Sequence, residues 1–230
     1  MPTLLLLRHG RTTANSSGLL AGRAPGVSLD EYGTSQAAAL PARLSGIPLA
    51  AAVHSPLQRC AETLAPLLAE RPGLPVHVEE RVTECDYGEW TNRALRDLAD
   101  EPLMATVRVQ PSAVTFPGGE SMRAMQARVS DAARDWDARV AAEHGPDAVW
   151  LMCTHGDNIK AITADALGLH LDLFQRLAPH PASVTAIRYG NPPLLLRFGD
   201  TGDLAEFVPR TEAAERDNAE ATETPVGGGA

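Results

Sequence analysis

Arg8-His9-Gly10 and Thr154-His155-Gly156 each place a histidine, followed by glycine, directly after an apolar run, Thr3–Leu7 in one case and Val149–Cys153 in the other. A neutral imidazole is a good nucleophile near its ordinary pKa of about 6.5, and guanidinium groups match phosphate oxygens bidentately. Phosphoryl chemistry is therefore the first reaction class these residues suggest. Ser55-Pro56-Leu57-Gln58-Arg59 adds a second arginine near a helix start, where anions are already favoured. Glu84 follows Glu79–Thr83, where a strand is expected to end, and so stands in the place of a general acid. Gly10 is expected to allow close backbone approach to a ligand, and Thr12 and Asn15 follow in a short turn able to aim polar groups at the same point. At Gly156 the N–H groups of a new helix point outward as a phosphate cradle.

These groups meet only if the fold brings strand ends together. Thr3–Leu7, Ala51–His54, Val76–Val78 and Val149–Cys153 read as strands. Between them lie helical patterns over Asp30–Leu44 (with Pro41 expected to bend or end it), from Ser55-Pro56 to about Glu70, and over Ser121–Glu143 and Gly156–Leu167. Ser183–Tyr189 and Leu194–Phe198 form a late strand pair. Residues 84–117, broken by Gly88, Pro102, Pro111 and Pro117, read as an irregular insertion with short helices. Alternating strands and helices predict a three-layer α/β/α sandwich, its central sheet mostly parallel and covered on both faces. Ligands in such sheets bind beyond the carboxyl ends of the strands, where both histidines fall. One domain is expected over 1–208, with an insertion at about 91–118 and an acidic tail, expected to be disordered, over 209–230.

The chain resembles the histidine phosphatase superfamily, in its phosphoglycerate-mutase-like branch. The residues behind this are Leu7-Arg8-His9-Gly10-Arg11-Thr12 with Asn15, Leu29-Asp30-Glu31-Tyr32-Gly33 with Gln36-Ala37, and Ser55–Thr63. Glu84 with Tyr87-Gly88-Glu89-Trp90, Phe116–Ser121 and Thr154-His155-Gly156 follow in order, so the likeness covers roughly residues 3–200. It implies that His9 takes the phosphoryl group, that Arg8, Arg59 and His155 form a positive pocket assisted by Asn15, and that Glu84 is the acid and then the base. Thr12, Gly156 and Arg23 complete the expected phosphate- and substrate-binding set. Three positions depart from the pattern: Asn92 and Asp157 stand where glycine is frequent, and His54 where a small residue is.

A formal charge of −9 argues against general nucleic-acid binding, which draws on clustered positive charge. The apolar run at Leu4–Leu7 is too short for a membrane span or a signal peptide. Cys60, Cys85 and Cys153 have no metal-type spacing and fit a reduced, cytoplasmic compartment, as small buried hydrophobes beside the site motifs. Lys160, the only lysine beside 19 arginines, is expected to be a solvated helix residue. No cofactor or metal is expected, since arginines can supply the positive charge that Mg²⁺ supplies elsewhere. The partner is a small phosphorylated metabolite, and a homodimer is left open.

Hydrolysis is the favoured reaction. A phosphomutase is the alternative, but it needs a closed lid to hold its intermediate. The only lid candidate, 91–118, has few basic residues: Arg93, Arg96 and Arg108. No basic residue follows Glu84, where mutases of the family typically carry one. A non-catalytic phosphoryl-binding module predicts loss of a pocket group, and none is lost. A zinc hydrolase built on His9, His54 and His155 ranks lower still.

Overall fold

The computed structural model describes residues 1–202. The segment 209–230 and the expected boundary at 208 lie outside the described residues. Six strands, β1 (Thr3–Arg8), β2 (Leu49–His54), β3 (Val76–Val78), β4 (Val149–Thr154), β5 (Val184–Arg188) and β6 (Leu194–Asp200), form one sheet in the order β3-β2-β4-β1-β5-β6. The first four in that order run parallel; at one edge β5 pairs antiparallel with β1 and β6 antiparallel with β5. The helices are α1 (Thr13–Ser16), α2 (Glu31–Arg43), α3 (Gln58–Glu70), α4 (Leu95–Leu98), α5 (Pro102–Val109), α6 (Met122–His144) and α7 (Gly156–Ala166).

The unbroken apolar run of β1 is what burial on both faces demands. Leu4 and Leu6 pack with Trp150, Met152 and the inner faces of α6 and α7. Leu5 and Leu7 pack on the opposite side with Leu40 of α2 and Leu64 and Leu67 of α3. Each of these buried leucines contributes about 1.5–3 kcal/mol, and together they hold the three layers in one register. The expected sandwich is the observed one. Among the described residues no helix is long and apolar enough to cross a membrane.

Local differences have physical causes. Pro41 does not end α2, which continues to Arg43, so the missing N–H is confined to its last turn. Helix α3 starts at Gln58 rather than at Pro56, with Leu57 as N-cap and no side-chain cap. The Ser55 hydroxyl accepts a weak bond from Leu57 N at 3.3 Å and contacts His155 Nε2 at 2.8 Å. Glu80–Val82 is a 3₁₀ turn, not a strand end, and the Glu79 carboxylate caps it through the N–H of Arg81. Asn92, at φ 65°, adopts the left-handed conformation that asparagine tolerates better than most non-glycine residues, so this departure leaves the turn intact.

Candidate active site

Strand register delivers the site. Arg8 pairs with Thr154 and His54 with Cys153, so β1, β4 and β2 end at one level. The next residues, His9, His155 and Ser55, leave three adjacent strands side by side. His9 N donates to Thr154 O at 3.0 Å and Ser55 N to Cys153 O at 3.1 Å, extending the ladder by one rung. The two imidazoles consequently face each other with centroids 5.2 Å apart and planes tilted by 58°.

Hydrogen bonds assign the tautomers. A carbonyl only accepts, so His9 Nδ1, 2.8 Å from Gly10 O, carries the proton and Nε2 carries the lone pair. In His155 the order is reversed. Arg59 Nε donates to Nδ1 at 3.3 Å, so Nε2 holds the proton and donates to Ser55 Oγ. Burial, then Arg59 and other neighbours including Arg8, push both imidazoles well below the usual histidine range. Both rings are neutral at physiological pH.

Arg8, at the end of β1, and Arg59, in the first turn of α3, are 1% and 2% exposed. Arg8 reaches Pro179 O through one terminal nitrogen at 2.8 Å, and Arg59 reaches Gly22 O at 2.9 Å. Burial lowers Arg8 to about 10, which still leaves it charged at neutral pH. Thr63 ties the nucleophile loop to Arg59: its Oγ1 accepts from Gly10 N at 2.9 Å and donates to Arg59 O at 2.6 Å.

Glu84 is 3% exposed, and its Oε1 accepts from Cys85 N at 2.9 Å. Burial, with the charge of Asp157, raises it to about 7 against the opposing pull of Arg59 and Arg8. A carboxyl titrating there can both give and take a proton at neutral pH. One neutral imidazole with a free lone pair, two buried guanidiniums and a carboxylic acid near neutrality thus share one end of the sheet. The histidine phosphatase superfamily (branch 1) model matches residues 4–200. The chain belongs to this superfamily.

Among its relatives, a Mycobacterium tuberculosis protein named as bifunctional is 36% identical over 183 residues. That match covers 74% of this chain but 48% of the relative, so the chain spans about half the length of the first curated relatives it matches. Phosphoserine phosphatase 1 of Hydrogenobacter thermophilus is 29% identical over 218 residues, covering 93% of this chain and 100% of the relative. The solved mycobacterial glucosyl-3-phosphoglycerate phosphatase in complex with VO3 superposes with a TM-score of 0.73 at 27% identity, over 86% of this chain and 98% of its own.

Within this histidine phosphatase fold the remaining expected residues are placed differently from one another. Gly156 opens α7 directly behind His155. Thr12 and Asn15 form the cap of α1: the Asn15 side-chain oxygen accepts from Thr12 N at 3.0 Å and from its hydroxyl at 2.8 Å. At Gly10 the protein's own backbone comes close, since a Cβ there would stand 2.8 Å from Gly33 O. Arg23 grips the Glu84 loop from outside. It donates to Glu84 O at 2.8 Å and to Glu120 Oε1 at 3.0 Å, and lies 3.6 Å from Asp86. His54 is half-buried, its Nδ1 2.8 Å from Ser55 O. Lys160 is fully buried, not solvated: Nζ lies 3.5 Å from Asp157 Oδ1 and donates to Gln175 Oε1 at 3.1 Å.

Sequence reasoning missed Glu120 and Arg128. The Glu120 carboxylate binds Arg128 through both oxygens, at 2.6 and 3.0 Å, and also accepts from Arg23 and from Asp86 N at 2.8 Å. Arg128 in turn donates to Glu84 O at 3.1 Å and to Thr83 O at 2.7 Å. One carboxylate thereby orders two arginines that hold the backbone of Glu84. Gly88 joins the two segments. It has φ +52°, and a Cβ there would meet Pro117 O at 2.1 Å. The signal for this clasp was present in Phe116–Ser121, but nothing in its spacing shows that Glu120 reaches back to Asp86 and, through two arginines, to the backbone of Glu84.

Proposed function

We propose that this chain hydrolyses phosphate monoesters of small metabolites, passing the phosphoryl group first to His9 Nε2 and then to water. The observation that carries this reading is the fixed, neutral His9 tautomer set between Arg8, Arg59 and His155. In the first step Nε2 forms a bond to phosphorus as the ester P–O bond breaks. The leaving oxygen takes the proton of Glu84. The Nδ1–H of His9 stays on Gly10 O, which stabilises the positive charge that develops on the ring. In the second step Glu84, now a carboxylate, takes a proton from water as its oxygen attacks phosphorus. The N–P bond breaks and the neutral imidazole returns.

Arg8, Arg59 and the N–H groups at Gly156 are suited to hold the equatorial oxygens, where charge builds in the transition state. Phosphatase relatives of the same superfamily support hydrolysis as the outcome. Mutase chemistry is disfavoured because Arg93 is paired with Glu101 at 2.6 Å, and Arg96 lies 3.5 Å from Asp97. The test is a panel of phosphorylated metabolites, with and without a second acceptor alcohol. Phosphate release that vanadate blocks and EDTA leaves unchanged supports the reading. Transfer to the acceptor without phosphate release contradicts it.

A further inference from the structure

Resting on the reading of Glu84 as proton donor, we propose that Asp157 is a positioning residue that keeps this acid protonated at neutral pH, with Tyr87 and Lys160 holding Asp157 in place. Asp157 stands in the first turn of α7, two residues after His155, and is fully buried. Tyr87, three residues after Glu84, donates its hydroxyl to Asp157 Oδ2 at 2.8 Å. Lys160 Nζ lies 3.5 Å from Oδ1, is anchored by Gln175, and sits 5.3 Å from the centre of the Phe174 ring. A buried carboxylate and a buried ammonium are costly to keep dry, and that cost calls for a compensating use.

The use follows from what faces Glu84. Arg59 from α3 and Arg8 from β1 both favour the carboxylate. From α7, Asp157 opposes them and Lys160 sides with them. Cys85 N–H stabilises the carboxylate from the same loop, and the nearby Cys85 and Tyr87 side chains stay uncharged, burial having raised both well above their usual values. Arg23 and Arg128 engage the carbonyl of Glu84. Asp157 therefore supplies the nearby negative charge that works with burial against two arginines. Glycine at 157 would leave burial alone to do so.

The test compares pH profiles of kcat/KM for phenyl phosphate, a poor leaving group. Asp157→Asn preserves size and can still accept from Tyr87. It is expected to move the high-pH limb down by about one pH unit, a roughly tenfold loss on that limb with little change on the acid side. Lys160→Met is expected to move the same limb upward. A high-pH limb that stays in place in Asp157→Asn, with equal loss at every pH, overturns the proposal. Carbon NMR titration of the Glu84 carboxyl in resting Asp157→Asn gives a second readout that needs neither turnover nor a folded Lys160 variant. A lowered midpoint supports the proposal, and an unchanged one overturns it. Failure of Glu84 itself shows separately: a Glu84→Gln variant that keeps the wild-type high-pH limb overturns the assignment of the acid.

Discussion

The Nδ1–H of His9 is bound to the carbonyl of Gly10 at 2.8 Å, and this contact decides which ring nitrogen can react. With burial, Arg59 and Arg8 holding the ring well below its usual range, the reactive form persists into mildly acidic solution. Glu84, raised to about 7, must hold its proton for the first step. These two directions give a one-sided profile. The nucleophile is lost only as pH falls below the ordinary histidine value, and the acid is lost as pH rises through about 7. The kcat/KM for an ester with a poor leaving group is expected to fall about tenfold per pH unit above that point. A profile that rises from neutral to alkaline pH contradicts it.

Glu84→Gln removes the transferable proton and keeps the shape. Turnover of alkyl phosphates should fall by about 10²–10⁴, while an aryl phosphate with a good leaving group loses far less in the first step. Comparing a leaving-group series in the wild type and the variant checks this. Equal slopes in the two series count against Glu84 as the donor.

Glu120→Gln should weaken the grip of Arg23 and Arg128 on the Glu84 backbone. A misplaced acid costs rate more than binding, so kcat is expected to fall about 10–100-fold with KM little changed. The loss should be larger for poor leaving groups. A loss independent of leaving group would mark Glu120 as a purely structural residue.

Much of this was legible along the chain because the interactions that shape the fold most are written in short stretches of it. The apolar run Leu4–Leu7 reads as a buried strand and lies in β1, and the helical pattern from Ser121 is α6, with Ser121 as its cap. The site was legible because His9 and His155 both follow such strands. Hidden were relationships that depend on distant partners. Lys160 reads as a surface residue until Asp157 and Gln175 are seen beside it, and nothing local shows that the Ser55 hydroxyl meets His155. Arg23, expected at the substrate, also holds Glu84 O and Glu120 and lies beside Asp86, partners that no local spacing shows.

Gly88→Ala tests the join between the two loop segments. Its positive φ and the 2.1 Å approach to Pro117 O leave no room for a methyl group. The substitution should destabilise by about 3 kcal/mol or more, a fall in Tm of about 6 °C or more. Thermal unfolding followed by circular dichroism measures it, and an unchanged Tm would show that the segments are not rigidly joined.

The most direct measurement is rapid quenching of the enzyme with radiolabelled substrate, followed by peptide mapping of any phosphorylated protein. The expected result is an acid-labile, base-stable phosphoryl group on His9, absent in His9→Ala, whose turnover falls on the order of 10⁴-fold or more. Phosphate released in a single turnover with no labelled protein at any time, or label on another residue, would contradict a phosphorylated His9.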